Sequence, residues 1–246
     1  METEKSLLIL GGTSDIGRAV AIHYATRGWR VLLAGRDPVA LERTAADIGT
    51  RTASNISIHA LDILQTEQFP AFLDSLGMLP HTVVCVIGML GDQRRAETDP
   101  SFATTVMRSN YEGPAILLSL IAERFAARGW GTIVGVSSVA GDRGRASNYV
   151  YGSAKSGFTA FLSGLRNRLV RTNIQVITVK PGFVRTRMTA DMKLPKHLTA
   201  APEEVATAVY TAEMRKRDIV YVRPIWRLVM SIIGTLPESV FKKTRF

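Results

Sequence analysis

Tyr151 and Lys155 stand four positions apart in Tyr151-Gly152-Ser153-Ala154-Lys155, with Ser138 thirteen residues upstream of the tyrosine and Asn110 further back. On one helix that spacing puts phenol and ammonium on the same face. A free tyrosine titrates near pKa ~10, so it is a poor acid-base group at neutral pH until a fixed cation stabilises its phenolate. Lys155 would be that cation, and the four side chains could together deliver a proton. Tyr-x-x-x-Lys alone also describes a solvated helix face, so the surrounding elements decide.

The run Gly131 to Val136 predicts a buried strand ending at Ser137-Ser138, followed by the polar loop Gly141 to Ser147 and a helix carrying Tyr151. A serine at the C-terminal end of a strand lies where open α/β sheets bind ligands. Near the N-terminus, the apolar run Lys5 to Leu10 leads into Gly11-Gly12-Thr13-Ser14-Asp15-Ile16-Gly17, which opens a helical pattern through Ala19, Val20, Ile22 and Tyr24. Strand, glycine turn, helix is the order of a dinucleotide site. Gly11 permits the tight turn, Gly17 lets the helix pack closely, and the free N–H groups and positive end of the helix suit a pyrophosphate. Gly11, Thr13, Ser14, Asp15, Ile16 and Gly17 are its expected contacts.

Strand and helix patterns alternate through the 246 residues without linker, repeat or low-complexity tract, which predicts one α/β domain over 1–246 with a parallel sheet. Cys85 is the single cysteine, so no disulfide forms within the chain, and a buried thiol in a reducing compartment is expected. His23, His59, His81 and His197 lack ligand spacing, and no metal is expected. Glu203-Glu204 after Pro202 reads as the acidic first turn of a helix.

On these motifs the chain resembles the short-chain dehydrogenase/reductase family over nearly its whole length. The family's Gly-x-x-x-Gly-x-Gly turn matches Gly11 and Gly17, with Asp15 in place of the middle glycine, where it can cap the helix. Of the family's Asn-Asn-Ala-Gly after strand four, Gly88 alone is kept. Asp62 closing strand three, where the family contacts adenine, Asn110 in the long central helix, Ser138, Tyr151, Lys155 and the segment Pro181-Gly182-Phe183-Val184-Arg185-Thr186 also match. The resemblance implies a doubly wound Rossmann fold of about seven parallel strands. It implies hydride transfer to a ketone while Tyr151 protonates the alkoxide, Ser138 aligns the oxygen, Lys155 lowers the Tyr151 pKa and binds the nicotinamide ribose, and Asn110 holds a water. Pro181, Gly182, Val184 and Thr186 would meet the nicotinamide end, and self-association into homo-oligomers is expected by analogy. A nonenzymatic NADP-binding sensor would be expected to have lost part of the tetrad.

Cofactor choice turns on Val31 to Asp37. Gly35 fills the family's usual aspartate position and Arg36 follows, an arrangement suited to the 2′-phosphate of NADP(H), while Asp37 keeps NAD(H) open.

The net charge of +10 is concentrated late: Arg215, Lys216, Arg217, Arg223, Arg227, Lys242, Lys243 and Arg245 face only Asp218 and Glu238. Between them Ile225 to Leu236 is apolar and about 18 Å long as a helix, too short for a ~30 Å bilayer core. The basic amphipathic segment 224–246 can lie on an anionic membrane surface or pack against its own domain or a partner. Nucleic acid fits poorly, since no stacking aromatics alternate with the arginines. With the first strand starting almost at Met1, no signal peptide is expected. The location expected is cytoplasmic, with a peripheral place at the inner face of the cytoplasmic membrane open.

Gly88 to Asp92, Arg143 to Ser153, Val184 to Met188 and the tail Leu236-Pro237 with Phe241-Lys242-Lys243 further resemble the decaprenylphosphoryl 2-keto-pentofuranose reductases. That likeness implies a ketone on a sugar linked by phosphate to a polyprenyl chain, and a flavin oxidase as partner. Arg143, Arg145, Arg185 and Arg187 could meet the phosphate. A small soluble carbonyl is the alternative substrate.

Overall fold

The computed structural model describes residues 5–244, so Met1 and Arg245 lie outside the described residues. Its apolar runs become strands β1 (Ser6–Leu10), β2 (Arg30–Gly35), β3 (Ile56–Ala60), β4 (Thr82–Cys85), β5 (Trp130–Val136) and β6 (Asn173–Pro181). After a short ribbon of β7 (Phe183–Val184) and β8 (Thr199–Ala200) comes β9 (Ile219–Val222). The main sheet runs β3-β2-β1-β4-β5-β6-β9, parallel throughout. The order reverses at β1, which opens a crevice at the C-terminal ends of β1 and β4.

Helices cover both faces, as a parallel sheet requires. Along β1, Leu7 and Ile9 pack with Val20, Leu41 and Val209 of α1 (Asp15–Ala25), α2 (Pro38–Thr52) and α8 (Pro202–Met214). Leu8 and Leu10 pack with Phe72, Leu118 and Phe158 of α3 (Phe69–Ser75), α6 (Gly113–Arg128) and α7 (Tyr149–Leu169). The period of two sends alternate residues to opposite layers. The short helices α4 (Gln93–Thr98) and α5 (Pro100–Met107) lead into α6, and α9 (Ile225–Thr235) and α10 (Glu238–Phe241) follow β9.

Three local readings are corrected. Asn110 lies in a π-helical turn, Arg108–Glu112, between α5 and α6, and not inside one continuous helix. Asp62 lies two residues beyond the end of β3, where its carboxylate accepts from the Leu64 amide at 3.0 Å. Ser14, not Asp15, caps α1: its Oγ accepts from the Gly17 amide at 3.0 Å, because the N-cap is the last residue outside the helix and Asp15 is already inside.

The C-terminal segment is built into the fold. Trp226 and Met230 are buried, and the Trp226 Nε1–H donates to the Leu198 carbonyl at 3.0 Å, so this tryptophan is not a surface anchor. The opposite face of α9 leaves Ile225, Leu228 and Ile232 at 43, 58 and 55 % exposed. No helix among the described residues is long and apolar enough to cross a membrane.

Candidate active site

Two adjoining hollows line the crevice. The outer one is walled by Gly11, Thr13, Ser14, Gly35, Arg36, Leu61, Ile63 and Arg187. Gly11 has φ +96°, and a Cβ on Gly17 would meet the Gly11 carbonyl oxygen at 2.6 Å, so this turn tolerates no side chains at either place. With Ser14 satisfying the Gly17 amide, the Asp15 and Ile16 N–H groups remain without intrahelical acceptors at the positive end of α1. A smooth glycine floor, free amides and an arginine at the end of β2 fit a phosphorylated dinucleotide.

Asp37 is spent elsewhere, capping α2 by accepting from the Ala40 amide at 3.1 Å. Asp15 pairs with Arg187, whose amide donates to Asp15 Oδ2 at 2.7 Å and whose guanidinium reaches Asp15 Oδ1 at 3.2 Å and the Thr13 carbonyl. The residue that replaces the expected glycine is thus tied to a segment 172 positions away.

The inner hollow brings together Ile16, Gly88, Ser138, Tyr151, Lys155, Pro181, Gly182, Val184 and Thr186. Ser138 sits just past β5, its Oγ accepting from the Ala140 amide at 3.1 Å, and it hydrogen-bonds Tyr151. Burial pushes the Tyr151 phenol up to about 12, and the Ser138 bond acts the other way. Lys155, one turn on, holds its Nζ 5.9 Å from the Tyr151 ring centroid and donates to the Val136 and Ile87 carbonyls at 3.2 and 3.4 Å. Burial pushes its ammonium down to about 8. At neutral pH the pair is therefore a protonated phenol beside a largely protonated amine.

Asn110 is buried behind this hollow. Its amide nitrogen donates to the Met89 and Val106 carbonyls at 2.7 and 2.8 Å, and its oxygen accepts from the Met89 amide at 3.2 Å. A Cβ on Gly88 would sit 2.8 Å from that oxygen and 3.1 Å from Lys155 Nζ, which explains the glycine. Asp15, Gly17, Asp62 and Asn110 support the crevice without lining it; the other expected residues line it.

Of the four arginines expected near a phosphate, Arg145 alone lines the inner hollow. Arg143 donates to the Ile233 and Leu236 carbonyls at 2.7 and 2.6 Å and pairs with Glu238, Arg187 lines the outer hollow, and Arg185 is exposed. The sequence reading missed Asn148 and Trp226 as walls; an N-cap asparagine and a tryptophan in an apolar helix carry no local sign of the cavity they face.

A family model described as short chain dehydrogenase matches residues 5–196. An uncharacterized oxidoreductase of Streptomyces coelicolor is 36% identical over 245 residues, covering 97% of this chain and 95% of that protein. Carbonyl reductase family member 4 of Xenopus laevis is 26% identical over 212 residues, 83% of this chain and 89% of that protein. Among solved structures, a short-chain dehydrogenase from Sphingobium yanoikuyae in complex with NADPH superposes with a TM-score of 0.82 at 21% identity, covering 96% of this chain and 97% of that one.

Proposed function

Because the chain belongs to the short-chain dehydrogenase/reductase family, we propose that it reduces a ketone to a secondary alcohol with NADPH. The observation that carries this reading is the meeting of Ser138, Tyr151 and Lys155 in one buried hollow, contiguous with a glycine-floored phosphate site. A bound reduced nicotinamide supplies the hydride. Tyr151 gives its hydroxyl proton to the forming alkoxide, Ser138 fixes the carbonyl oxygen, and the Lys155 charge stabilises the phenolate left behind. Asn110 acts by holding the Gly88-Met89 turn against Lys155, and its role in keeping a relay water is part of the proposal. Gly11, Thr13, Ser14 and Ile16 cradle the pyrophosphate, Asp62 steadies the adenine side through its turn, and Pro181 to Thr186 borders the nicotinamide.

NADPH is preferred over NADH in this reading because Arg36 borders the hollow while Asp37 is occupied as a helix cap. The NADPH complex of the Sphingobium structure supports that choice.

For the substrate we propose a 2-keto sugar carried on a polyprenyl phosphate and supplied by a flavin oxidase. The exposed Ile225, Leu228 and Ile232, with the exposed cations Arg227, Lys242 and Lys243 in the same C-terminal segment, support a peripheral position on an anionic membrane. A small soluble carbonyl is the second reading, favoured by the relative named as a carbonyl reductase. Self-association into a homo-oligomer belongs to the same proposal by family analogy.

The test is parallel NADPH and NADH oxidation with and without a polyprenyl-phosphate keto-pentose. Lipid-dependent oxidation is expected, and Tyr151→Phe should lower it at least ~100-fold while cofactor affinity stays within about twofold. Normal turnover in that variant would remove Tyr151 from the mechanism. Turnover of soluble ketones alone would select the second substrate.

A further inference from the structure

Among the described residues, two buried side-chain polar atoms lack a hydrogen-bond partner, Arg145 Nε and Asn148 Oδ1, and both residues line the inner hollow. One is a donor and the other an acceptor. Buried polar groups are ordinarily paired, and a pair of orphans on one cavity marks what a ligand would satisfy.

Neither orphan is explained by the fold. Asn148 is the N-cap of α7, where an asparagine ordinarily accepts from the helix amides, yet its side chain makes no cap bond. Among the described residues the Arg145 guanidinium reaches the Met230 thioether, Nη2 to Sδ at 3.2 Å, and thioether sulfur is a weak acceptor. The acid that acts on it electrostatically, Asp142, is committed: Oδ1 to Lys180 at 2.5 Å and Oδ2 to Tyr221 at 2.9 Å. Desolvation at the site holds the Arg145 pKa below the usual arginine range. A guanidinium is thus held on a hollow whose lining includes the apolar Leu90, Val139, Phe183, Met188 and Trp226, where a charge-assisted bond is strengthened.

We infer that Arg145 and Asn148 form a substrate-recognition subsite, and that the ketone reduced here carries an anionic oxyacid group, carboxylate or phosphate, together with a hydroxyl. The anion receives the Arg145 Nε–H and the hydroxyl donates to Asn148 Oδ1. The carbonyl then lies toward Tyr151, less than one helical turn beyond Asn148. This rests on the ketone-reductase reading, deepens it, and makes both residues determinants of specificity.

The test uses two matched probe pairs, dihydroxyacetone phosphate with dihydroxyacetone and acetoacetate with ethyl acetoacetate. Binding to the full chain with NADP⁺ present is followed by tryptophan fluorescence, in which Trp226 is the responding indole because it borders the hollow, and a Trp226→Phe chain supplies the background from Trp29 and Trp130. At least one anionic member should bind tenfold or more tightly than its neutral partner. The pair that shows the difference identifies phosphate or carboxylate. Arg145→Met should collapse the difference, and Arg145→Lys, which keeps the charge and guards against misfolding, should retain part of it. Equal binding within both pairs, or a difference that survives Arg145→Met, overturns the inference. NADPH oxidation measured on the same probes separates the two readings. Anion-selective binding without oxidation of any ketone supports the subsite and counts against the reductase reading, whereas oxidation without anion preference sinks the subsite alone.

Discussion

A lysine buried as deeply as Lys155 gives up hydration that two backbone carbonyls only partly replace, which is why its ammonium titrates near 8 instead of 10.5. Between those values the unfolded chain binds the proton that the folded chain has released, so stability should rise with pH through this window. Lys155→Met should abolish turnover, stabilise the fold by up to about 3 kcal/mol at pH 7, and remove that rise; urea titrations at pH 7 and 10 would measure both. In the wild type, kcat/KM should fall as pH climbs through about 8 and the cation is lost. At Arg36 the expected loss is selective: Arg36→Ala should raise KM for NADPH roughly 10- to 100-fold, the cost of one charged hydrogen bond, and leave that for NADH nearly unchanged. The placement of the Tyr151-Lys155 pair and of Arg36 was legible in the sequence because it follows from helical spacing and from position at a strand end. The partners of Arg143 and Arg187 were not, because identical guanidiniums differ only in which distant carbonyl or carboxylate they reach.

Single elements show where local reading stops. Strand and helix periodicity placed β1, β5, α1 and α7, since each buries one pattern against the sheet. The π-helical turn at Asn110 and the Trp226 contact depend on neighbours remote in the chain. Gly182 is the clearest case: a Cβ there would lie 2.0 to 2.5 Å from the Trp226 indole, so the Pro-Gly bend and α9 interlock. Gly182→Ala should destabilise the protein by about 1–3 kcal/mol through overpacking and raise KM for the ketone. Pairing it with Trp226→Leu should restore part of the lost stability in thermal melts, a coupling that independent sites would not show.

For the whole molecule, the parallel sheet was legible from the alternation of apolar runs and helical patterns and its doubly wound order from the family resemblance, whereas the fate of the C-terminal segment was not. Composition alone allowed α9 to lie on a membrane or against the domain; the structure buries one face and leaves the other open. Deleting 225–246 would therefore remove a wall of the cavity and is a poor probe of surface binding. The double change Leu228→Glu with Ile232→Glu touches only the open face. If that face meets membranes, it should cut sedimentation with anionic vesicles at least tenfold while turnover of a soluble ketone is unchanged; undiminished sedimentation would reject the membrane role. The Asp15–Arg187 link has a different kind of consequence. An acidic side chain at the mouth of a phosphate site repels the ligand unless it is neutralised, so positions 15 and 187 act as one unit. Loss of the arginine alone should weaken cofactor binding, and Asp15→Gly in the same chain should restore it.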